Sequence, residues 1–139
     1  MRKFKLASLF VIICLVFTAC SSTPSRADVW ENALYTEDTS LGEGSKTFYA
    51  EVKAGDKSVT FTISTDKATV GEALIENELV SGEQGPYGLY VKLVNGIEAD
   101  YDKDKSFWSF TKDGEQLLTG VDGEEISDGA HYELVYTTN

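Results

Sequence analysis

Two runs of strict alternation around a four-residue turn constrain this chain more than any other feature. In residues 47–53, Phe48, Ala50 and Val52 fall on one side and Tyr49, Glu51 and Lys53 on the other. In residues 58–64, Val59, Phe61 and Ile63 oppose Thr60, Thr62 and Ser64. A period of two marks a half-buried strand. Ala54-Gly55-Asp56-Lys57 supplies the turn, with Gly55 free to take a positive φ. The reading is an antiparallel hairpin whose apolar face needs a second layer to cover it.

A helix is the expected cover. Thr69 suits the N-cap, and Glu72 follows three residues later, as a capping box requires. Val70, Ala73, Leu74 and Asn77 recur at helical spacing, with Glu72, Glu76 and Glu78 outward. Gly82 is expected to end the helix, and residues 81–88, with Gly82, Gly85, Gly88 and Pro86, read as a loop. Short strands follow. Residues 89–95 place Leu89, Val91 and Leu93 on one face and Tyr90, Lys92 and Val94 on the other, and Asn95-Gly96 signals a tight turn. Residues 107–111 form an aromatic strand, which Lys112-Asp113-Gly114-Glu115 turns into 116–118. Ser127-Asp128-Gly129-Ala130 introduces a last strand over 132–136. Hairpin, helix, then strands is the order of an α+β domain, here a β-grasp-like mixed sheet with one helix packed on one face. Residues 29–46 are expected to be a leading segment docked by Trp30, and residues 47–139 the folded domain.

The amino terminus reads as an address. Arg2, Lys3 and Lys5 precede an apolar run over 6–17, which is too short for a spanning helix. Thr18 and Ala19 come before Cys20, and Ser21-Ser22-Thr23-Pro24-Ser25 follows it. This ending resembles the lipobox of bacterial lipoproteins, with Phe17 where leucine is usual. The resemblance implies a signal peptide over 1–19, a lipid on Cys20, a tether over 20–28, and an extracytoplasmic domain anchored to the bacterial cell membrane. Two acyl chains hold a protein stably where one is marginal. With Cys14 lost and Cys20 lipidated, the folded part carries no thiol for a disulfide, a nucleophile or a metal.

Charge and composition exclude several functions. Without residues 1–19, 9 Lys and Arg face 23 Asp and Glu, a net charge of −14. So acidic a chain is not expected to bind nucleic acid, which requires clustered cations. At 42% hydrophobic and 12% aromatic it is too apolar for a disordered acidic tail. His131 is the only histidine and reads as an exposed strand-end residue; with no free cysteine beside it, neither a catalytic triad nor a zinc site is expected. Asp100, Asp102 and Asp104 begin like a calcium loop, but Lys105 stands where the turn glycine belongs and Thr111 where the closing glutamate belongs. No carboxylate pair or phosphate-binding loop is recognisable, so neither enzyme activity nor a bound metal is expected.

Aromatic residues supply the remaining signal. Tyr87, Tyr90, Tyr101, Phe107, Trp108 and Phe110 lie close together in sequence. Alternation puts Trp108 and Phe110 on one face of their strand and Phe107 and Ser109 on the other. One face must be core, and the other, with the Gly-rich stretch beside it, is a candidate surface for a flat ligand or a partner.

A set of segments in order resembles a known family. They are Thr69-Val70-Gly71-Glu72-Ala73-Leu74, Gly85-Pro86-Tyr87-Gly88-Leu89-Tyr90-Val91, Val94-Asn95-Gly96-Ile97, Phe107-Trp108-Ser109-Phe110, Lys112-Asp113-Gly114, Gly120-Val121 and Ile126-Ser127-Asp128-Gly129-Ala130-His131-Tyr132-Glu133-Leu134. Together they resemble the small carboxy-terminal domain of transcobalamin and intrinsic factor, which bacteria carry as a stand-alone domain of unknown function. The resemblance implies a β-grasp-like fold and binding of a corrinoid (cobalamin) or another planar amphipathic ligand. By analogy of position, Tyr87, Tyr90, Trp108 and Phe110 are the candidate contacts. The large helical domain of the animal carriers has no counterpart here, so a second copy or a partner protein would complete the site. The alternative expectation is a cell-surface interaction or adhesion module with no small-molecule ligand.

Overall fold

The structure is a computed structural model, and it describes residues 29–138 except 87 and 118. The expected signal peptide, the tether and Cys20 lie outside the described residues.

A 3₁₀ turn over Val29–Asn32 opens the described chain, and Trp30 within it is buried. Strand β1 (Thr39–Leu41) follows, then the expected hairpin of β2 (Lys46–Ala54) and β3 (Lys57–Thr65). Phe48, Ala50, Val52, Val59, Phe61 and Ile63 all turn inward, as alternation requires. Gly55 takes φ +64° in the two-residue connection. Helix α1 (Val70–Glu76) starts where the sequence places it: the Thr69 hydroxyl accepts from the Glu72 amide at 3.2 Å. The Glu72 carboxylate reaches back one residue further than a capping box would, to the Ala68 amide at 3.3 Å. Val70, Ala73 and Leu74 are buried.

The helix ends at Glu76, earlier than the expected stop at Gly82. Asn77 is the C-cap and Glu78 takes φ +57°. Residues 81–85 are strand rather than loop. Strand β4 (Val80–Gly85) pairs antiparallel with β5 (Gly88–Val94). Gly82 is glycine for packing rather than for termination, because a Cβ there would lie 1.9 Å from the Tyr90 carbonyl oxygen. Beside it the register shifts, Ser81 facing Leu93 and Gly82 facing Val91, so that Lys92 bulges from β5. The bulge resets the alternation, and Val91 and Val94 both point inward although three positions apart.

Asn95 (φ +51°) and Gly96 (φ +79°) form the two-residue turn to β6 (Ile97–Glu98). A single helical turn, α2 (Tyr101–Asp104), leads into β7 (Ser106–Lys112). β8 covers only Glu115–Gln116, shorter than expected. A 3₁₀ turn at Val121–Gly123 precedes β9 (His131–Thr138).

Strands β1-β3-β2-β9-β7-β8 make a six-stranded sheet, and β4-β5-β6 a separate three-stranded one. β2 and β9 are parallel neighbours and their other neighbours in the large sheet are antiparallel, so that sheet is mixed. One of its faces carries Phe48, Phe61, Ile63, Tyr132, Leu134 and Trp108 into the core, which also takes in Leu74 of the helix and Val91, Val94 and Ile97 of the small sheet. Burying one large apolar side chain contributes about 1.5–3 kcal/mol. The fold is a mixed α+β arrangement, mostly sheet.

Candidate functional site

The β4–β5 hairpin is rooted at one end and exposed at the other. Val80 is buried, whereas residues 81–86 are exposed. The outer end of β5 is held from below. The Leu89 amide donates to the Asp122 carboxylate at 3.0 Å, and a Cβ on Gly88 (φ +107°) would lie 2.7 Å from the other carboxylate oxygen. Asp122 belongs to the 3₁₀ turn that packs on helix α1 at Gly71. The outer hairpin is thereby fixed to the helix layer with Tyr90 facing solvent, 46% exposed.

The three described candidate contacts, Tyr90, Trp108 and Phe110, do not form one surface. Trp108 is 6% exposed; its indole N–H donates to the Ile97 carbonyl at 3.3 Å and its ring meets Tyr136 edge-on at 5.6 Å. Phe110, two residues on, packs against the same core. Alternation pairs these two residues correctly, but their face is the inner one. Tyr90 remains exposed, and Tyr87 lies outside the described residues. None of the three described residues lines the cleft that lies at the other end of β5.

That concavity is an open cleft of about 870 Å³ at the other end of β5. Four separated segments surround it: the first 3₁₀ turn with Trp30 and Glu31, the β2–β3 turn with Asp56, the stretch from Ile97 to Asp104, and the end of β9 with Tyr136 and Thr138. Trp30 is set by its indole N–H, which donates to the Ala54 carbonyl at 2.9 Å. The leading segment is set by Asn95, which is fully buried. Its side chain accepts from the Tyr35 amide and donates to the Tyr35 carbonyl, both at 2.9 Å, while its carbonyl accepts from the Leu34 amide at 2.9 Å.

Two of the three calcium-like aspartates, Asp100 and Asp104, bond to nearby residues. Asp100 caps α2, accepting from the Asp102 and Lys103 amides at 3.1 and 3.3 Å. Asp104 accepts from the Ser106 amide at 3.1 Å and from its hydroxyl. Among the described residues no three acidic, histidine or cysteine side chains are grouped to hold a metal ion.

A charged network lies on the open face of the large sheet. Glu51 and Glu133 are register partners on parallel strands β2 and β9, a like-charge juxtaposition that costs stability unless screened. Lys53 lies 2.5 Å from Glu133 and 3.9 Å from Glu51, and His131 Nε2 lies 2.8 Å from Glu51. The Lys53 hydrogen bond holds the Glu133 carboxyl below the usual glutamate range, and the same bond raises the Lys53 ammonium above its ordinary value. His131 does sit at a strand end, half exposed, but its ring is stacked on Tyr49 at 6.5 Å as well as paired with Glu51. Glu51 and His131 are 80 residues apart, and no local pattern announces a parallel register.

These elements define a mixed α+β domain with an exposed hairpin at one end of the small sheet and a cleft at the other. Residues 67–138 match the family described as a domain of unknown function, DUF4430, and the chain belongs to that family. The structure is similar to the crystal structure of a proposed metal-binding protein from Ruminococcus gnavus ATCC 29149, with a TM-score of 0.65 and 36% identity over 68% of this chain and 99% of that one. It is also similar to haptocorrin in complex with Cbi, with a TM-score of 0.55 and 17% identity over 70% of this chain and 26% of that one. That second likeness is one of fold. No curated protein matches the sequence.

Proposed function

We propose that this protein is an extracytoplasmic lipoprotein, held on the bacterial cell membrane through Cys20, whose domain binds a planar amphipathic ligand of the corrinoid class on the β4–β5 hairpin. The observation that carries the reading is Tyr90, exposed on a hairpin that Asp122 fixes to the helix layer. A tyrosine there offers a ring face and a hydroxyl to a ligand that is flat and polar at its edges. The likeness of fold to haptocorrin in complex with Cbi supports the ligand class. Strand order supports a β-grasp assignment, with a first hairpin, a helix, and a last strand parallel to the first hairpin strand at the sheet centre. Trp108 and Phe110 support the site from the core; contact falls to Tyr90 and Tyr87. One exposed aromatic contact contributes about 0.5–1.5 kcal/mol beyond its buried area, so a second copy or a partner protein completes the site. The role is binding rather than catalysis.

Cobinamide and cobalamin are titrated into the full-length protein in neutral detergent micelles, following corrin absorbance. Saturable binding weakened by Tyr90→Ala is expected. No binding at high-micromolar ligand would overturn the reading and favour a protein-interaction module, for which exposed β4, at the edge of its sheet, offers backbone for strand addition. For the anchor, Cys20→Ala is expected to leave the precursor unprocessed and reduce its recovery with membranes; unchanged processing and membrane recovery would overturn lipidation.

A further inference from the structure

We infer that the second contributor to the hairpin site is another copy of this chain, paired edge to edge through β4. The inference rests on the proposed function for its ligand, while the pairing itself is testable without one. Among the described residues the strands that end a sheet are β1, β8, β4 and β6. β1 has three residues, β8 two and β6 two, whereas β4 has six. Short edges offer no template to a further strand, and β4 does. Its residues 81–85 are exposed.

The ladder shows which backbone groups of β4 point outward. The Leu89 amide donates to Asp122 and so not to β4. Gln84, opposite Leu89, therefore belongs to a non-hydrogen-bonded pair, and its own N–H and C=O point away from β5. Gly82 lies two residues back in unbroken register, opposite Val91, and points the same way. Among the described residues no turn or loop bonds to the main chain of either residue.

An identical strand running antiparallel matches this pattern. A two-fold axis at Gly82, Glu83 or Gln84 brings outward-facing residues opposite one another. An axis at Glu83 would set two carboxylates against each other, which costs stability. An axis at Gly82 would draw Val80 into the seam, and Val80 is buried. An axis at Gln84 avoids both: the two Gln84 residues exchange N–H···O=C bonds and Glu83 faces Gly85 of the other copy. Pro86, with no N–H, ends the ladder. Glu83 is already paired with Lys92 at 3.4 Å within its own chain. The net charge of −11 on each chain opposes association at long range, a repulsion that salt screens. The contact is therefore weak until a ligand held by both copies strengthens it. An axis normal to the sheet leaves both Tyr90 rings on one face, three strand spacings or about 14 Å apart across the strands.

Mild oxidation of Gln84→Cys in the full-length protein in neutral micelles tests the pairing. Cα atoms about 5.5 Å apart in such a pair suit a disulfide. A thiol-reversible species of twice the chain mass is expected, forming faster with added salt and faster again with cobinamide. It is expected to be absent from the parent and from Gln116→Cys, which puts the thiol on the short edge β8. Equal cross-linking of Gln116→Cys would reduce the effect to crowding in the micelle and overturn the inference. Calorimetry is expected to find one cobinamide per two chains. Gln84→Pro removes only the outward N–H of an edge strand and is expected to weaken cobinamide binding about tenfold, with the circular dichroism spectrum unchanged. One ligand per chain, with Gln84→Pro binding like the parent, would overturn the inference and leave the proposed function standing. Specific cross-linking at Gln84 with no cobinamide binding would support the pairing and overturn the proposed function, so the two fail separately.

Discussion

Asn95 holds the wall of the cleft, and replacing it tests that role quantitatively. It is fully buried, takes φ +51°, and exchanges two hydrogen bonds with the Tyr35 backbone. Asn95→Ala leaves the Tyr35 amide and carbonyl without these partners. Leaving a buried polar group unpaired costs about 1–3 kcal/mol, and water reaching the half-buried Tyr35 keeps each near the lower end. Alanine at positive φ adds about 1–2 kcal/mol. The expected total is about 3–5 kcal/mol. Asn95→Gly removes the same hydrogen bonds but accepts the backbone angle, so it should cost about 1–2 kcal/mol less than alanine. Urea unfolding followed by tryptophan fluorescence measures both, with Trp30 reporting directly on the leading segment. An alanine variant within about 0.5 kcal/mol of the parent, or alanine and glycine variants of equal stability, would show that Asn95 does not hold the leading segment in this way.

Ile63→Ala, on the buried face of β3, is expected to cost about 2–5 kcal/mol, and Thr62→Ala on the open face about 0.5 kcal/mol or less; equal costs in the same urea assay would place the strand in the wrong register. Gly82→Ala must push a Cβ away from the Tyr90 carbonyl 1.9 Å distant, and is expected to cost about 1–3 kcal/mol. It should also change amide exchange along β4 and β5; unchanged exchange there would contradict the bulge. Glu133 has its folded pKa lowered by Lys53, so its contribution is present above the ordinary glutamate pKa, about 4.3, and is lost as pH falls through the lower folded value. Glu133→Gln is therefore expected to flatten the acid limb of the stability-pH curve, and an unchanged limb would remove Glu133 from the network.

What the sequence made legible was local. The β2–β3 hairpin followed from alternation and Gly55, the start of α1 from Thr69, and the two-residue turns from Asn95-Gly96 and Asp113-Gly114, all four of which take positive φ. Glycines misled where their reason was non-local: Gly82 answers the approach of the Tyr90 carbonyl on another strand, which no window of sequence contains. Trp108 and Phe110 were correctly paired on one face, but alternation does not say which face is inner when both are apolar. The parallel registers of β1 with β3 and β2 with β9 join residues that share no local pattern, so the Glu51–His131 contact was invisible. The cleft was out of reach for the same reason, since it is assembled from four stretches scattered between Val29 and Thr138.

A flat ligand held on the β4–β5 hairpin would show itself in amide chemical shifts mapped during a cobinamide titration. Saturable shifts are expected in residues 81–94 and around Asp122, with the residues of the cleft unmoved. No shifts at saturating ligand, or shifts confined to the cleft around Trp30 and Glu98, would contradict it.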